Sequence, residues 1–217
     1  MTSYVLVPAM ASRHEGINAP AFTVLRREDC RWYTSHYCEE NVLRLCKRFI
    51  EEPPSNFTLF VAFISNRNKQ VPLWCQRLSG VPHEPVLWDY HVVLIAIGGH
   101  KSWIYDYDST LPFPCEASTY IAQTFRGGTV IDSRFRQYFR VVEAKTCLDH
   151  FASDRSHMIN SRGQYSAPPP RDVPLRGRKA TRSHNLPDWI KMEPGTWKGN
   201  VLDLDSFEIF LRPSTVR

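Results

Sequence analysis

Three residues have the types and the spacing of a thiol-dependent catalytic site: Cys38, His91 and Asp106. A cysteine thiolate can attack an amide carbonyl, an imidazole can take and return the proton, and a carboxylate can fix the tautomer of the imidazole. Each of the three falls on a different predicted element of the chain. The pattern therefore predicts an enzyme with a covalent acyl-thioester step, and this chemistry requires neither a metal nor a cofactor.

Cys38 falls in the first turn of a predicted helix. The helix is expected to begin at about Thr34, with Thr34 or Ser35 as its cap, and to end at the proline pair 53–54. A helix start supplies free backbone N–H groups and a positive dipole end, which lower a thiol pKa and can hold an oxyanion. Taken alone, Cys38 also fits a small buried apolar residue, so its assignment as a nucleophile depends on its partners.

His91 lies inside a nearly continuous apolar run, residues 86–97. Such a run predicts a central strand that is covered on both faces. Two glycines follow the run, and a returning strand is predicted over residues 102–107. We therefore expect an antiparallel hairpin that brings the acidic end of the second strand back to His91.

The position of the hairpin turn decides which carboxylate faces His91. If residues 98–99 form the turn, Asp106 lies directly opposite His91. If residues 99–100 form it, Asp108 lies opposite, and Asp106 lies diagonally on the same face. In both registers a carboxylate is predicted to orient the imidazole.

The order of the predicted elements indicates the fold class. Further strands are predicted over residues 57–64, 71–74 and 135–142, and further helices over residues 118–125, 145–152 and 203–211. One early helix followed by mostly antiparallel strands indicates an α+β fold in a single catalytic domain, residues 1–217. An N-terminal helix that carries the cysteine, packed on an antiparallel sheet that carries the histidine and the aspartate, is typical of the papain and transglutaminase architecture.

Composition excludes several classes of protein. The chain has 217 residues, of which 42% are hydrophobic, as in a globular protein rather than a disordered one. It has no apolar run of the roughly 20 residues that cross a membrane, and no secretion signal is predicted, so reduced thiols are expected. The spacing of Cys30, His36 and Cys38 lacks a fourth zinc ligand, and no metal site is predicted.

The net charge of +5 is concentrated in residues 161–185, which hold six lysine and arginine residues against Asp172 alone. The rest of the chain is balanced, so a nucleic-acid-binding surface is not predicted. The segment also holds four prolines and lacks hydrophobic periodicity. We predict a basic, proline-rich, mobile surface loop, with a basic docking tail as the alternative.

The segment around His91, Trp88-Asp89-Tyr90-His91-Val92, resembles the signature of the protein N-terminal glutamine amidohydrolase family. Supporting blocks follow the family order along most of the chain: 37–42 (YCEENV), 61–66 (VAFISN), 104–106 (IYD), 111–115 (LPFPC) and 151–158 (FASDRSHM). The resemblance implies that Cys38, His91 and Asp106 are the catalytic residues.

The resemblance also implies a reaction, a substrate class and a cellular setting. The side chain of an N-terminal Gln on a protein or peptide is deamidated to Glu with release of ammonia, without a cofactor. The product then enters the arginylation branch of the N-degron pathway, in the cytoplasm and nucleus. Because one complete site lies in one chain, a monomer is expected.

Such an enzyme must distinguish a free α-ammonium from an internal Gln. An anion near the pocket can do so, and Asp89 and Asp154 are the candidates. Trp74 or Trp88 is a candidate wall for the Gln side chain. The alternatives are another papain- or transglutaminase-like cysteine hydrolase, which shares the acyl-enzyme step, and a non-catalytic binding module.

Overall fold

A computed structural model of the protein describes residues 27, 30–51, 57–81, 83–126 and 131–213. The helices are α1 (Cys38–Glu51), α2 (Ala117–Thr124), α3 (Ala144–His150), α4 (Leu186–Ile190) and α5 (Leu204–Phe210). The strands are β1 (Thr58–Ser65), β2 (Val71–Leu73), β3 (Val86–Trp88), β4 (Tyr90–Gly98), β5 (Lys101–Tyr105), β6 (Cys115–Glu116), β7 (Tyr138–Glu143) and β8 (Asn200–Leu202). Among these residues, no helix combines the length and apolar character that crossing a bilayer requires.

The strands form one large antiparallel sheet and one small pair. The large sheet has the order β6-β5-β4-β1-β7-β8, and β2 pairs separately with β3. On one face, α1, α3 and α4 pack against Val92 and Leu94 of β4. On the other face, α2 and α5 pack against Val93 and Ile95. Because both faces are covered, β4 can be apolar along its whole length, and the predicted α+β class is confirmed.

The prediction of one strand over residues 86–97 is wrong in one respect. The strand is interrupted at Asp89, which leaves two separate strands, β3 and β4. The Asp89 carboxylate accepts the N–H of Tyr90 at 2.8 Å, and the Asp89 carbonyl accepts the Ser65 hydroxyl at 2.7 Å. These local bonds replace strand pairing at this residue. The residues before the break therefore join β2 as β3, and those after it form β4.

The start of α1 also differs from the prediction. The helix begins at Cys38 because His36 has a φ of 69°, a left-handed conformation that a helix cannot contain. The Asn41 side chain binds both the N–H and the carbonyl of Thr34, at 2.9 and 2.8 Å. Thr34 is thus held by the helix rather than capping it, and Cys38 becomes the first helical residue. The proline pair 53–54 lies outside the described residues.

The other predicted elements are present with shifted ends. The second half of the hairpin is β5, and the strand predicted over residues 135–142 begins at Tyr138, after a 3₁₀ turn at Ser133–Phe135. A second 3₁₀ turn, Ser156–Met158, follows α3.

The basic segment 161–185 runs over the surface and holds no helix or strand of its own, apart from isolated bridges. The middle of this segment contacts the rest of the protein, and the mobility predicted for the segment stays a prediction. Arg155 donates to the carbonyls of Pro170 and Asp172 at 3.0 and 2.8 Å, and Arg44 pairs with the Asp172 carboxylate at 2.9 Å. These bonds tie the middle of the segment to α1 and to the turn after α3.

A fully buried arginine, Arg140 on β7, fastens the chain between α4 and β8. Its guanidinium donates to the main-chain carbonyls of Trp189, Lys191, Glu193 and Lys198. A buried charge is costly unless hydrogen bonds satisfy it, and four carbonyls do so here. This connection holds α4, which contributes to the site described next.

Candidate active site

The β4–β5 hairpin brings His91 and Asp106 together. Gly98 pairs with Lys101, so the turn is at residues 99–100, and the second of the two predicted registers is the one observed. Asp106 therefore reaches His91 diagonally, with 2.8 Å between His91 Nε2 and Asp106 Oδ1. Both side chains are buried. The predicted contact between imidazole and carboxylate is confirmed.

The Asp106 carboxylate is held by hydrogen bonds from α2, from the loop after β2 and from the backbone of Asp108. Its Oδ2 accepts the hydroxyl of Tyr120 at 2.8 Å and the amide of Gln76 at 3.2 Å, and its Oδ1 accepts the N–H of Asp108 at 2.9 Å. Burial alone would raise the pKa of Asp106, but the His91 charge and these hydrogen bonds outweigh it and lower the pKa. These bonds favour the ionised form of Asp106 and hold its carboxylate in one orientation.

The other nitrogen of His91, Nδ1, is buried and has no hydrogen-bond partner in the described part of the chain. Because Nε2 donates to Asp106, the neutral ring carries its lone pair on Nδ1. The imidazole also stacks on Trp88, with 5.0 Å between ring centroids. Burial lowers the pKa of His91, but Asp106 outweighs that effect, so the pKa lies above its ordinary value. His91 is thus an oriented base with one free acceptor.

Cys38 is the first residue of α1, and its thiol donates a long hydrogen bond to Glu39 Oε2 at 3.8 Å. The predicted lowering of the thiol pKa is wrong for the free protein. Burial raises the pKa of Cys38 well above its ordinary value, and the carboxylates of Glu39, Asp108 and Asp89 add to this effect. The helix start does not compensate for them, so the thiol is neutral and requires a base.

A cleft of about 320 Å³ opens beside Cys38. Its lining includes Trp88, Asp89, Tyr90 and His157, together with part of α4. The Asp89 carboxylate is exposed there and lies close enough to Cys38 to influence the thiol pKa.

Two predicted binding residues are placed elsewhere. Trp74 does not line this cleft, and its ring lies under the Arg126 guanidinium at 5.0 Å. Asp154 is also absent from the lining, with its carboxylate 3.3 Å from His184 Nδ1 and accepting the N–H of Ser156 at 3.0 Å. Among the candidates, the structure therefore brings only Asp89 and Trp88 to the cleft beside Cys38.

A buried cluster behind the cleft was not predicted. The Glu39 carboxylate is fully buried and accepts the Tyr90 hydroxyl at 3.0 Å, and its Oε1 lies 3.7 Å from His157 Nε2. Burial raises the pKa of Glu39 to about 7. The only sequence signal for this cluster was that Glu39 and Tyr90 each neighbour a predicted catalytic residue.

Gln76 and Tyr120, which hold Asp106, also escaped prediction. They come from the loop after β2 and from α2, far from Asp106 in sequence. No local pattern marks them.

A metal could in principle bind here, because one ligand atom from each of His91, Asp106 and Asp108 lies within 4.8 Å of the others. Two of these three side chains are already joined by the hydrogen bond between imidazole and carboxylate. That bond accounts for their proximity.

Comparison with known proteins gives one consistent result. Residues 33–211 match the N-terminal glutamine amidase family. The proteins named protein N-terminal glutamine amidohydrolase from Bos taurus and Homo sapiens are each 41% identical over 180 residues, which cover 81% of this chain and 84% and 85% of theirs. The protein of that name from Arabidopsis thaliana is 40% identical over 166 residues, 74% of this chain and 75% of its own. The chain therefore belongs to the N-terminal glutamine amidase family.

Proposed function

We propose that the protein deamidates the side chain of an N-terminal Gln on proteins or peptides, giving N-terminal Glu and ammonia. One observation carries the proposal: Asp106 orients His91 and leaves its buried Nδ1 without a hydrogen-bond partner among the described residues, inside the stretch matched by the family. The names of the relatives supply the substrate.

The first half of the reaction makes a thioester. His91 Nδ1 takes the proton of the Cys38 thiol, and the sulfur attacks the carboxamide carbon of the substrate. The free N–H groups at the start of α1 stabilise the oxyanion. The imidazolium then protonates the departing nitrogen, the C–N bond breaks, and ammonia leaves.

The second half regenerates the enzyme. His91 takes a proton from water as the water attacks the thioester carbon, and the C–S bond breaks. The proton returns to the Cys38 sulfur, and the product carries a carboxyl group where the amide was. Asp106 holds the imidazole in one tautomer through both halves.

Two residues of the cleft are proposed to bind the N-terminal residue of the substrate. Asp89 is the better anchor for the α-ammonium, because it lines the cleft while Asp154 lies outside its lining. Trp88 is a better wall for the Gln side chain than Trp74, because it lines the cleft and stacks on His91.

The papain- and transglutaminase-like architecture, the monomeric state and the absence of nucleic-acid and membrane partners belong to the same proposal. So do the N-degron role and a location in the cytoplasm and nucleus. They rest on the sequence pattern and on the family resemblance.

The test is ammonia release from a short peptide that begins with Gln, beside matched peptides that begin with Asn or with N-acetyl-Gln. We expect release from the first peptide alone. Cys38→Ala should abolish it, whereas Cys75→Ala, at a partly exposed cysteine of another loop, should keep the full rate. Release from the acetylated peptide would indicate a broader thiol amidase, and release from none would indicate a binding module.

A further inference from the structure

We propose that Asp108 is a specificity-determining residue, whose Oδ2 accepts a hydrogen bond from the NH₂ group of the substrate carboxamide and repels the carboxylate of the product. The inference rests on the proposed function and deepens it. It identifies the group that distinguishes Gln from Glu at the point where one becomes the other.

The first support is an unpaired oxygen. Asp108 follows β5 and is 1% exposed. Its Oδ1 accepts the Tyr33 hydroxyl at 2.6 Å, whereas its Oδ2 is buried and has no hydrogen-bond partner among residues 27, 30–51, 57–81, 83–126 and 131–213. An unsatisfied buried carboxylate oxygen is costly in the free protein, and such groups are rare without a functional reason.

The second support is position. A carboxylate oxygen of Asp108 lies within 4.8 Å of ligand atoms of both His91 and Asp106. The charge of Asp108 also acts on the Cys38 thiol, whose pKa it helps to raise. Asp108 thus lies beside the proposed base, and its charge reaches the proposed nucleophile. Like His91, it is buried and is not among the residues that line the cleft, so it would meet the reacting group of the substrate rather than its backbone.

The loop geometry holds this carboxylate in place. Its own N–H is bound to Asp106 Oδ1 at 2.9 Å, and its carbonyl accepts the N–H of Arg77 at 2.7 Å. These two bonds fix the backbone of Asp108, and the bond from Tyr33 fixes its carboxylate through Oδ1. Its Oδ2 can therefore act as a preorganised acceptor.

The chemistry of substrate and product matches this acceptor. A primary amide presents two N–H donors, and an ionised carboxylate offers only acceptors. Bound Gln therefore satisfies the Oδ2 of Asp108. After hydrolysis the product carries a carboxylate of its own, which places two like charges together and leaves both short of donors. The same residue holds the substrate and expels the product.

The decisive variant is Asp108→Asn, which keeps the size of the side chain, keeps an acceptor for Tyr33 and removes the charge. We expect kcat/KM on the Gln-initiated peptide to fall by about 10- to 100-fold, the effect of losing a hydrogen bond to a charged group. We also expect the Glu-initiated peptide to inhibit about 10-fold more tightly, because the repulsion is gone. Asp205→Asn, at an exposed position in α5, is the matched control and should change neither value.

Tighter product inhibition separates a specificity role from a structural one, because mere damage to the site weakens both ligands. A fall in kcat/KM with unchanged or weaker product inhibition would overturn the proposal. If the Asn variant does not fold, Asp108→Ser allows the same comparison.

Binding to the Cys38→Ala protein tests the inference without turnover. The affinity ratio of Gln-initiated to Glu-initiated peptide should fall at least 10-fold when Asp108→Asn is added, and an unchanged ratio would overturn the role of Asp108. If the unmodified enzyme releases no ammonia, the proposed function fails, while this ratio still decides the role of Asp108.

Discussion

Two acidic residues lie at the start of α1, Glu39 and Glu40, and two follow β5, Asp106 and Asp108. In each pair, one carboxylate is fully hydrogen-bonded and the other is not. Glu40 is bound by Arg155 through two hydrogen bonds of 2.6 and 2.9 Å, and Asp106 accepts bonds from four groups. Glu39 and Asp108, in contrast, each keep one buried oxygen without a hydrogen-bond partner in the described structure.

The difference separates carboxylates that hold structural elements together from carboxylates that keep an unpaired oxygen near Cys38 or His91. The fully bonded carboxylates hold elements in place: Glu40 joins α1 to the turn after α3, and Asp106 fixes the imidazole. The partly bonded ones act on the Cys38 thiol, whose pKa both of them raise. Burial is the main cause of the raised thiol pKa, and these two carboxylates raise it further.

The largest effect on catalysis is expected from replacing Asp106, the fully hydrogen-bonded carboxylate that follows β5. Asp106→Asn should lower kcat by about 10⁴-fold, as in triads where the imidazole takes the wrong tautomer. The acidic limb of the pH profile of kcat/KM should also move to lower pH. Burial lowers the pKa of His91, whereas Asp106 and, to a smaller extent, Asp108 raise it, so removing the Asp106 charge should lower this pKa. A near-normal rate would show that another group orients His91.

At the start of α1, removing the ion pair between Glu40 and Arg155 should lower the stability of the protein. Arg155→Met leaves Glu40 buried without its main partner, and the free energy of unfolding should fall by about 3–5 kcal/mol. Arg44→Met is the matched control, because Arg44 contacts the same carboxylate at 3.4 Å from a more exposed position and should cost at most about 1 kcal/mol. Denaturant unfolding of both variants measures the difference, and equal losses would contradict the comparison.

Because the pKa of Glu39 is raised, we expect the free energy of unfolding to depend on pH. Its pKa is about 7 in the folded protein against an ordinary value of 4.5, so folding favours the protonated form. The contribution is complete below about pH 4.5 and is lost as the pH rises through 7, by about 3 kcal/mol in all. Glu39→Gln cannot ionise and should lack this decline.

Urea unfolding at pH 5 and pH 8 checks the Glu39 prediction, with Glu208→Gln on the exposed side of α5 as the control. The control should show the same decline as the unmodified protein. A decline of equal size in Glu39→Gln would assign it to another group.

Local pattern explains what the sequence predicted well. The apolar run and the glycines predicted the hairpin that joins His91 to Asp106, because strand periodicity and turn chemistry are short-range signals. The same pattern left two registers open, since either pair of turn residues was acceptable. The interruption at Asp89 was not predicted, because the other eleven residues of the run follow a strand pattern. It depends on a hydrogen bond from the Tyr90 N–H to the Asp89 carboxylate, which the pattern does not show.

Properties that depend on distant neighbours could not be read from the sequence. Gln76 and Tyr120 reach Asp106 from separate elements, so nothing near either residue marks it. The pKa of Cys38 was predicted from the helix start alone, whereas burial and three carboxylates determine it. Tertiary surroundings therefore set the pKa of the proposed nucleophile, whereas local pattern predicted only that Cys38 lies at the start of a helix.

The four main-chain carbonyls that accept hydrogen bonds from Arg140 have a consequence for which substitutions the protein can tolerate. A guanidinium that recognises only main-chain oxygens places no demand on the side chains at positions 191, 193 and 198. Substitutions at those positions therefore leave the acceptors of Arg140 in place. Arg140 itself has no such freedom, because a lysine cannot reach several carbonyls with a planar fork. One buried arginine can thus preserve the backbone shape of a segment without contacting the side chains at these three positions.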